Sequence, residues 1–276
     1  MRDLIWLAVA ACTAATAGLA ERIEPEALER LPSVDVIILG EIHDNFDHHL
    51  NQALALRALQ PAVIAFEMLT PAQAEIANAR LSTGLLLGVE LGWEHSGWPP
   101  FDLYVPIFNS LGGAEIVGMA VPGEQISAAF RNGAASAFGD DAARFGLAEP
   151  LDPDQQAARE AMQMAAHCDQ FPEHMLPGMV NVQRLRDAWF ARAVIDAFER
   201  TGGPVAVITG TGHARTDWGM PVPLGRAAPD LKALSIGQIE HEDMLPDAPP
   251  FDLWVISDAP DRPDPCDMLL VPRGGG

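Results

Sequence analysis

The chain has 276 residues, 49% of them hydrophobic, and a formal net charge of −21, which allows one large core, or a core with a helical subdomain. The basic residues are scattered and Lys232 is the single lysine, so no basic stripe exists to neutralise a phosphate backbone, which argues against nucleic acid as a partner. The same acidity opposes anionic headgroups, leaving a covalent or hydrophobic device at one end as the route to a membrane.

That end is the N-terminus. Residues 1–20 read as an export signal: Arg2, an apolar run from Leu4 to Ala11, then small residues through Ala20. The run is too short to span a bilayer. Two processing readings compete. Val9-Ala10-Ala11-Cys12 resembles a lipobox with Cys12 as the lipidated residue, whereas Ala15-Thr16-Ala17 and Gly18-Leu19-Ala20 suit ordinary signal peptidase. Residues 21–276 then form one domain.

Val34 to Gly40 is a short β-branched run ending in glycine, and the helical spacing that follows from about Asp47 to Leu59 completes a βα unit. Ala62 to Glu67 is a second such run, followed by Thr70 as N-cap and Pro71 at the first helical position. Ala114 to Met119, Pro204 to Thr209, Leu231 to Ile236 and Phe251 to Ser257 are further buried-strand candidates. Short two-sided apolar strands alternating with helices predict an α/β fold with a mostly parallel central sheet flanked by helices.

Two stretches interrupt this rhythm. Gly92 to Pro106, rich in Trp, Gly and Pro, reads as an ordered loop that offers aromatic groups to a flat ligand. From about 125 to 200 a helical insertion is expected, with Asp152-Pro153 opening one helix and Gly202-Gly203 closing the last. Met179, Val182, Leu185, Trp189, Ala193 and Ala197 form an apolar stripe along that last helix. Cys168 and Cys266 are too few for a disulfide framework, and spacing alone leaves their pairing open.

In open α/β sheets ligands bind beyond the carboxyl ends of the strands. Gly40-Glu41-Ile42-His43-Asp44-Asn45 stands at the first such end, Glu67 at the second, and Gly210-Thr211-Gly212-His213-Ala214-Arg215 at a third. A polar cluster of Glu41, His43, Glu67 and His213 is therefore expected, although any one of them alone could simply satisfy a loop or a helix N-terminus. Gly210-Thr211-Gly212 is a weak dinucleotide signal, because Arg215 occupies the place of the third glycine. No GxSxG elbow, phosphate loop or CxxC pair is present.

Several motifs in order carry a resemblance. Ile38-Leu39-Gly40-Glu41-Ile42-His43-Asp44 with His48-His49 and Gln52, Phe66-Glu67-Met68, and Gly210 to Arg215 with Asp217-Trp218-Gly219-Met220-Pro221 resemble the ChaN-like haem-binding uptake proteins. Trp98-Pro99-Pro100-Phe101, Tyr104-Val105-Pro106-Ile107, His167-Cys168, Gln183 to Ala188, and Asp264-Pro265-Cys266 extend the resemblance over nearly all of residues 21–276. It implies an envelope protein, often a lipoprotein, that serves haem or iron uptake and holds haem between two subunits, with an outer-membrane uptake system as a further partner.

The resemblance also implies tyrosinate ligation of haem iron, which falls to Tyr104, the single tyrosine. Haem further needs cationic or imidazole partners for its propionates and apolar walls for its faces. His167 and His174 are candidate ligands, Arg186 and Arg215 candidate propionate partners, and Met162, Met164, Met175 and Met179 read as core filler. The alternative comes from erythromycin esterase-like enzymes and Tiki-type proteases, which the same loops resemble. It is a metal-dependent hydrolase in which Glu41, His43, Glu67 and His213 hold a divalent metal whose bound water attacks the substrate.

Overall fold

The computed structural model describes residues 20–242, 246, 248–263 and 266. Most of the expected export signal, including the lipobox with Cys12, and the terminal glycines lie outside these residues. The strands are β1 (Glu21–Arg22), β2 (Val36–Glu41), β3 (Val63–Phe66), β4 (Glu115–Gly118), β5 (Val205–Gly210), β6 (Ala233–Ile239) and β7 (Leu253–Ile256). They form one seven-stranded sheet in the order β1-β7-β6-β2-β5-β3-β4, and every pairing is parallel. The six expected strands are all present, with ends displaced by one to three residues. The edge strand β1 is too short to carry a hydrophobic period, which is why pattern reading missed it.

β2 and β5 are buried at every position because helices cover both faces of the sheet. Side chains alternate between two cores. Ile37, Leu39, Ile64, Phe66, Ala206 and Ile208 point to one face, and Val36, Ile38, Val63, Ala65, Val205 and Val207 to the other. The first face is roofed by the helices Phe46–Leu59 and Pro71–Ala79 and by the Trp-rich stretch. Helix Leu176–Thr201 and the shorter Gly123–Asn132 and Ala134–Phe138 roof the second.

Local chemistry starts and stops these helices. The Asn45 side chain accepts from the backbone N–H groups of Asp47 and His48, Thr70 and Gln73 form a capping box, and Asp152 caps Pro153–Ala166. Gly202, at φ +79°, closes Leu176–Thr201 in the left-handed region open to glycine. Of the expected stripe on that helix, Val182, Leu185 and Ala197 are buried and Trp189 and Ala193 pack half-buried against the same core, while Met179 is half-buried outside it. Sheet and helices grip the rod from different sides, so burial spreads to Val180, Asp187, Ala188, Phe190, Ala191, Val194 and Ile195.

The expected loop at 92–106 also differs. It winds into 3-10 turns at Trp93–His95 and Phe101–Tyr104 and enters the helix Val105–Phe108. Trp93, Phe101, Tyr104 and Phe108 are buried there, with ring centroids 4.9–5.1 Å apart.

Strand order sets the crevice. From β2 the chain crosses to β3 on one side, and from β5 it crosses to β6 on the other, so the connections leaving the two adjacent central strands run in opposite directions from their carboxyl ends. Parallel register aligns Glu41 with Gly210 and Phe66 with Ile208, bringing Glu67 to the same rim. Among the described residues no helix is long and apolar enough to cross a membrane.

Cys168 and Cys266 form a disulfide with their Cα atoms 5.5 Å apart, 98 positions apart in sequence. It fastens the C-terminal segment to the end of helix Pro153–Ala166. Closing so long a loop restricts the unfolded chain, so Cys266→Ser is expected to lower stability by about 2–5 kcal/mol. Urea unfolding of oxidised wild type, reduced wild type and the variant checks this; three superimposable curves would show that the bridge contributes nothing.

Candidate functional site

Glu41, the last residue of β2, is 2% exposed, and its Oε1 gathers three side chains. His43 Nδ1 stands at 2.7 Å, the Tyr104 hydroxyl donates over 3.1 Å, and His49 Nε2 lies at 3.5 Å. Burial alone would raise the Glu41 pKa, but hydrogen bonds from His43 and His49, with their charges, outweigh it and hold the carboxyl down at about 2. Its Oε2 is buried without a partner. With Nδ1 committed to Glu41, His43 presents Nε2 to the crevice beside Gly210, where an added Cβ would come within 3.0 Å of it. His43 also resists burial: the Glu41 hydrogen bond and charge raise its pKa above the usual imidazole value.

A second imidazole is held in the same manner. Glu67 follows β3, and its Oε2 accepts from the Thr209 hydroxyl at 2.6 Å and the Gly210 N–H at 2.8 Å. Its Oε1 lies 3.5 Å from His213 Nε2, while His213 Nδ1 is 2.6 Å from Asp187 Oδ1 on helix Leu176–Thr201. Burial opposes charge on His213, but the carboxylates of Glu67 and Asp187 overcome it and raise its pKa. His48 Nδ1 accepts the Ile42 N–H at 2.9 Å, fixing the turn between Glu41 and His43.

These groups open into a cleft of about 440 Å³. Glu41, His43, Glu67 and His213 all line it, so the structure brings the four strand-end residues together. Trp98, whose ring centroid is 4.7 Å from that of His43, forms one wall with Ile42. Met162, Gln163 and Ala166 of helix Pro153–Ala166 form another, and Val180, Gln183 and Arg186 of helix Leu176–Thr201 complete it. Met162 thus belongs to the cleft rather than to the core.

The other expected ligands are elsewhere. Tyr104 is fully buried under the floor, donating to Glu41 and to the His43 carbonyl at 3.2 Å, and burial beside carboxylates pushes its hydroxyl far from ionisation. A phenol in that position holds Glu41 and does not line the cleft. His167 caps helix Pro153–Ala166, its Nδ1 2.7 Å from the Gln163 carbonyl, and His174 is exposed on a 3-10 turn. Neither lines the cleft. Arg186 does, whereas Arg215 is spent on a two-pronged pair with Asp217 at 2.9 and 2.6 Å and stacks over Trp218. Of the aromatic groups offered by the 92–106 stretch, Trp98 alone reaches the cleft.

Asp187 and Arg159 were not foreseen as site residues. Asp187 had a readable signal, a lone carboxylate between Leu185 and Ala188 on the apolar side of a helix. Arg159, within a polar helix, had none.

A profile of the family described as haem-binding uptake, Tiki superfamily, ChaN matches residues 27–224. The chain belongs to this family. Among solved structures it is similar to the ChaN of Campylobacter jejuni, solved with cofacially bound haem, at 17% identity and a TM-score of 0.57 over 83% of this chain and 88% of that one. That likeness is one of fold. The erythromycin esterase EreC in its open conformation is more distant, at 13% identity and a TM-score of 0.42 over 79% and 74% of the two chains. No curated protein matches the chain.

In this ChaN-family domain the divalent-metal alternative gains no support, since among the described residues no group of three or more His, Cys, Asp or Glu side chains is disposed to hold a metal ion. Each imidazole already faces carboxylates of its own. Haem asks less of the donor set, one imidazole and apolar walls, and the cleft supplies both.

The site generates two predictions. Gly210→Ala should displace His43, and a changed chemical shift of the His43 ring, with the far-UV spectrum intact, checks it; an unmoved ring would show that the rim has room. The second concerns His48, which burial depresses to a pKa of about 4 despite nearby Glu240 and Glu41. Its lowered pKa means that the unfolded chain takes up a proton first as pH falls, so this contribution is complete above about 6.5 and is lost towards 4. The stability gap between wild type and His48→Asn should narrow by about 2 kcal/mol from pH 7 to pH 5, as read by urea unfolding at both.

Proposed function

We propose that this chain is a haem carrier of the cell envelope that takes ferric haem into the cleft with His43 Nε2 facing the iron. The carrying observation is the 2.7 Å contact between His43 Nδ1 and Glu41. A carboxylate on the far nitrogen fixes the tautomer, turns the ring and strengthens the near nitrogen as a ligand. Trp98, Ile42, Met162 and Val180 provide apolar surface for a macrocycle, and the cleft volume falls within the range of roughly 300–1,000 Å³ usual for small-molecule sites. This reading puts Tyr104 in support of the ligand rather than in its place.

The open side of the cleft calls for a cover, and a second copy is proposed to supply it on haem binding. Trp98 also lines an adjoining apolar groove with Trp93 and Phe101, next to the exposed Leu85, Leu86 and Val89. An exported protein with Cys12 as a lipidated N-terminus, delivering haem to or from an outer-membrane uptake system, is the cellular setting that fits a ChaN-family chain whose first residues read as a lipobox. Mass spectrometry of the native N-terminus tests this; an unmodified end at Gly18 or Glu21 would make the protein a soluble one.

Haem titration tests the central claim. Wild type should give a saturable Soret band and sediment as a dimer when loaded. Glu41→Gln should weaken haem by roughly 10- to 100-fold, the usual effect of losing a group behind a metal ligand, and His43→Ala by more, with a changed spectrum. Tyr104→Phe should keep the wild-type spectrum. A Soret band altered by Tyr104→Phe but not by His43→Ala would restore tyrosinate as the iron ligand.

A further inference from the structure

Arg159 stands apart from the other arginines at the cleft. It is only 8% exposed, its Nε has no hydrogen-bond partner, and its sole side-chain bond is a long one of 3.3 Å from a terminal nitrogen to Gln155. Arginine is almost never this buried without a counter-charge. No ion pair is formed by it among the described residues. Burial and the neighbouring Arg184 lower its pKa, against the pull of Asp187 and Asp217.

A second unsatisfied donor lies beside it. Trp218, whose ring centroid is 5.4 Å from the Arg159 guanidinium carbon, has its indole Nε1 buried and unpartnered as well. Arg159 and Trp218 both line the main cleft, and both line a side pocket of about 120 Å³ that Arg184 and Arg226 flank. Arg184 is occupied only with the carbonyls of Gly146 and Glu149, so its charge too is unmatched there. Asp187 is the one acid on the shared wall, and its carboxylate is taken by His213. Arg226 pairs with Glu149 at 3.1 Å, but in a chain of net charge −21 two guanidiniums without an ion pair among the described residues, Arg159 and Arg184, beside an unpartnered indole N–H mark a place built for an anion.

We infer that Arg159 and Trp218 form a carboxylate subsite at the mouth of the side pocket, which receives an acidic arm of the ligand held in the main cleft. The pocket is too small for a macrocycle, given the roughly 300 Å³ at which small-molecule sites begin, but takes a carboxylate on a short aliphatic stem. Guanidinium and indole N–H groups pair with carboxylate oxygens by charge-assisted and neutral hydrogen bonds respectively. Under the haem reading, on which this assignment to an arm rests, the arm is a propionate. Arg186 remains in the cleft wall, and Arg215 is engaged by Asp217.

The test compares ferric protoporphyrin IX with its dimethyl ester, which keeps the ring and loses both negative charges, and separately titrates sodium propionate into the haem-free protein by calorimetry. Wild type should prefer the diacid by roughly 10- to 100-fold, the value of one or two charge-assisted bonds. Arg159→Gln should erase the preference while ester affinity stays unchanged, and Arg159→Lys, which keeps the charge but not the fork, should retain part of it; Trp218→Phe should reduce it. Equal binding of diacid and ester by wild type, or a preference that survives Arg159→Gln, overturns the assignment. Propionate binding that depends on Arg159, without discrimination between the macrocycles, overturns the arm and leaves a site for free anions. Failure of either macrocycle to bind, with Arg159-dependent propionate binding retained, sinks the haem reading and supports the subsite; absence of both overturns the two together.

Discussion

The site depends on one buried carboxylate. Glu41 ends the central strand, where chain connections leaving in opposite directions open a crevice, and one of its two oxygens, Oε1, gathers His43, His49 and Tyr104. Placing an ionised carboxylate there is costly unless several donors meet it. Those donors come from three different segments: the turn after β2, the helix Phe46–Leu59 and the 3-10 turn Phe101–Tyr104. Satisfying the charge therefore organises one half of the cleft, because each group that neutralises Glu41 is also fixed in position by it.

The other half repeats the device with different parts. His213 sits between Glu67 and Asp187, and Glu67 is itself anchored by Thr209 and the Gly210 N–H. The two imidazoles differ in what they leave available. His213 has a carboxylate within 3.5 Å of each nitrogen, whereas only Nδ1 of His43 pairs with a carboxylate and its side chain stays 28% exposed at the cleft. That asymmetry is the physical ground for preferring His43 as the group that meets a ligand. Gly210 lies between the two systems, and the absence of a side chain there lets them come close.

Apolar packing and polar satisfaction are divided along the chain in a consistent way. The Trp-rich stretch gives Trp93, Phe101, Tyr104 and Phe108 to the core and only Trp98 to the cleft, so its backbone is locked by burial on one side while one ring is free to meet a ligand. The helices between β4 and β5 do the same with polar groups. Helix Pro153–Ala166 shows Met162 and Gln163 to the cleft, and helix Leu176–Thr201 sends Asp187 to His213 from within an otherwise apolar face.

Much of this was legible in the residues themselves. β-branched runs bounded by glycine and capping residues fix where β2, β3 and β5 lie, because strand and cap preferences are local, and the strand-end rule places Glu41, Glu67 and His213 on one rim once the sheet is taken as parallel. Family motifs likewise depend only on order along the chain. Partner choice was not legible. That Tyr104 turns into the floor rather than the cleft, that His213 meets Asp187 and that Cys168 meets Cys266 are consequences of contacts between segments 26 to 98 positions apart, and that Arg159 forms no ion pair among the described residues is likewise decided by packing. Sequence states which donors and acceptors exist; only tertiary packing, by excluding water and fixing distances, decides which of them find each other and which are left for a ligand.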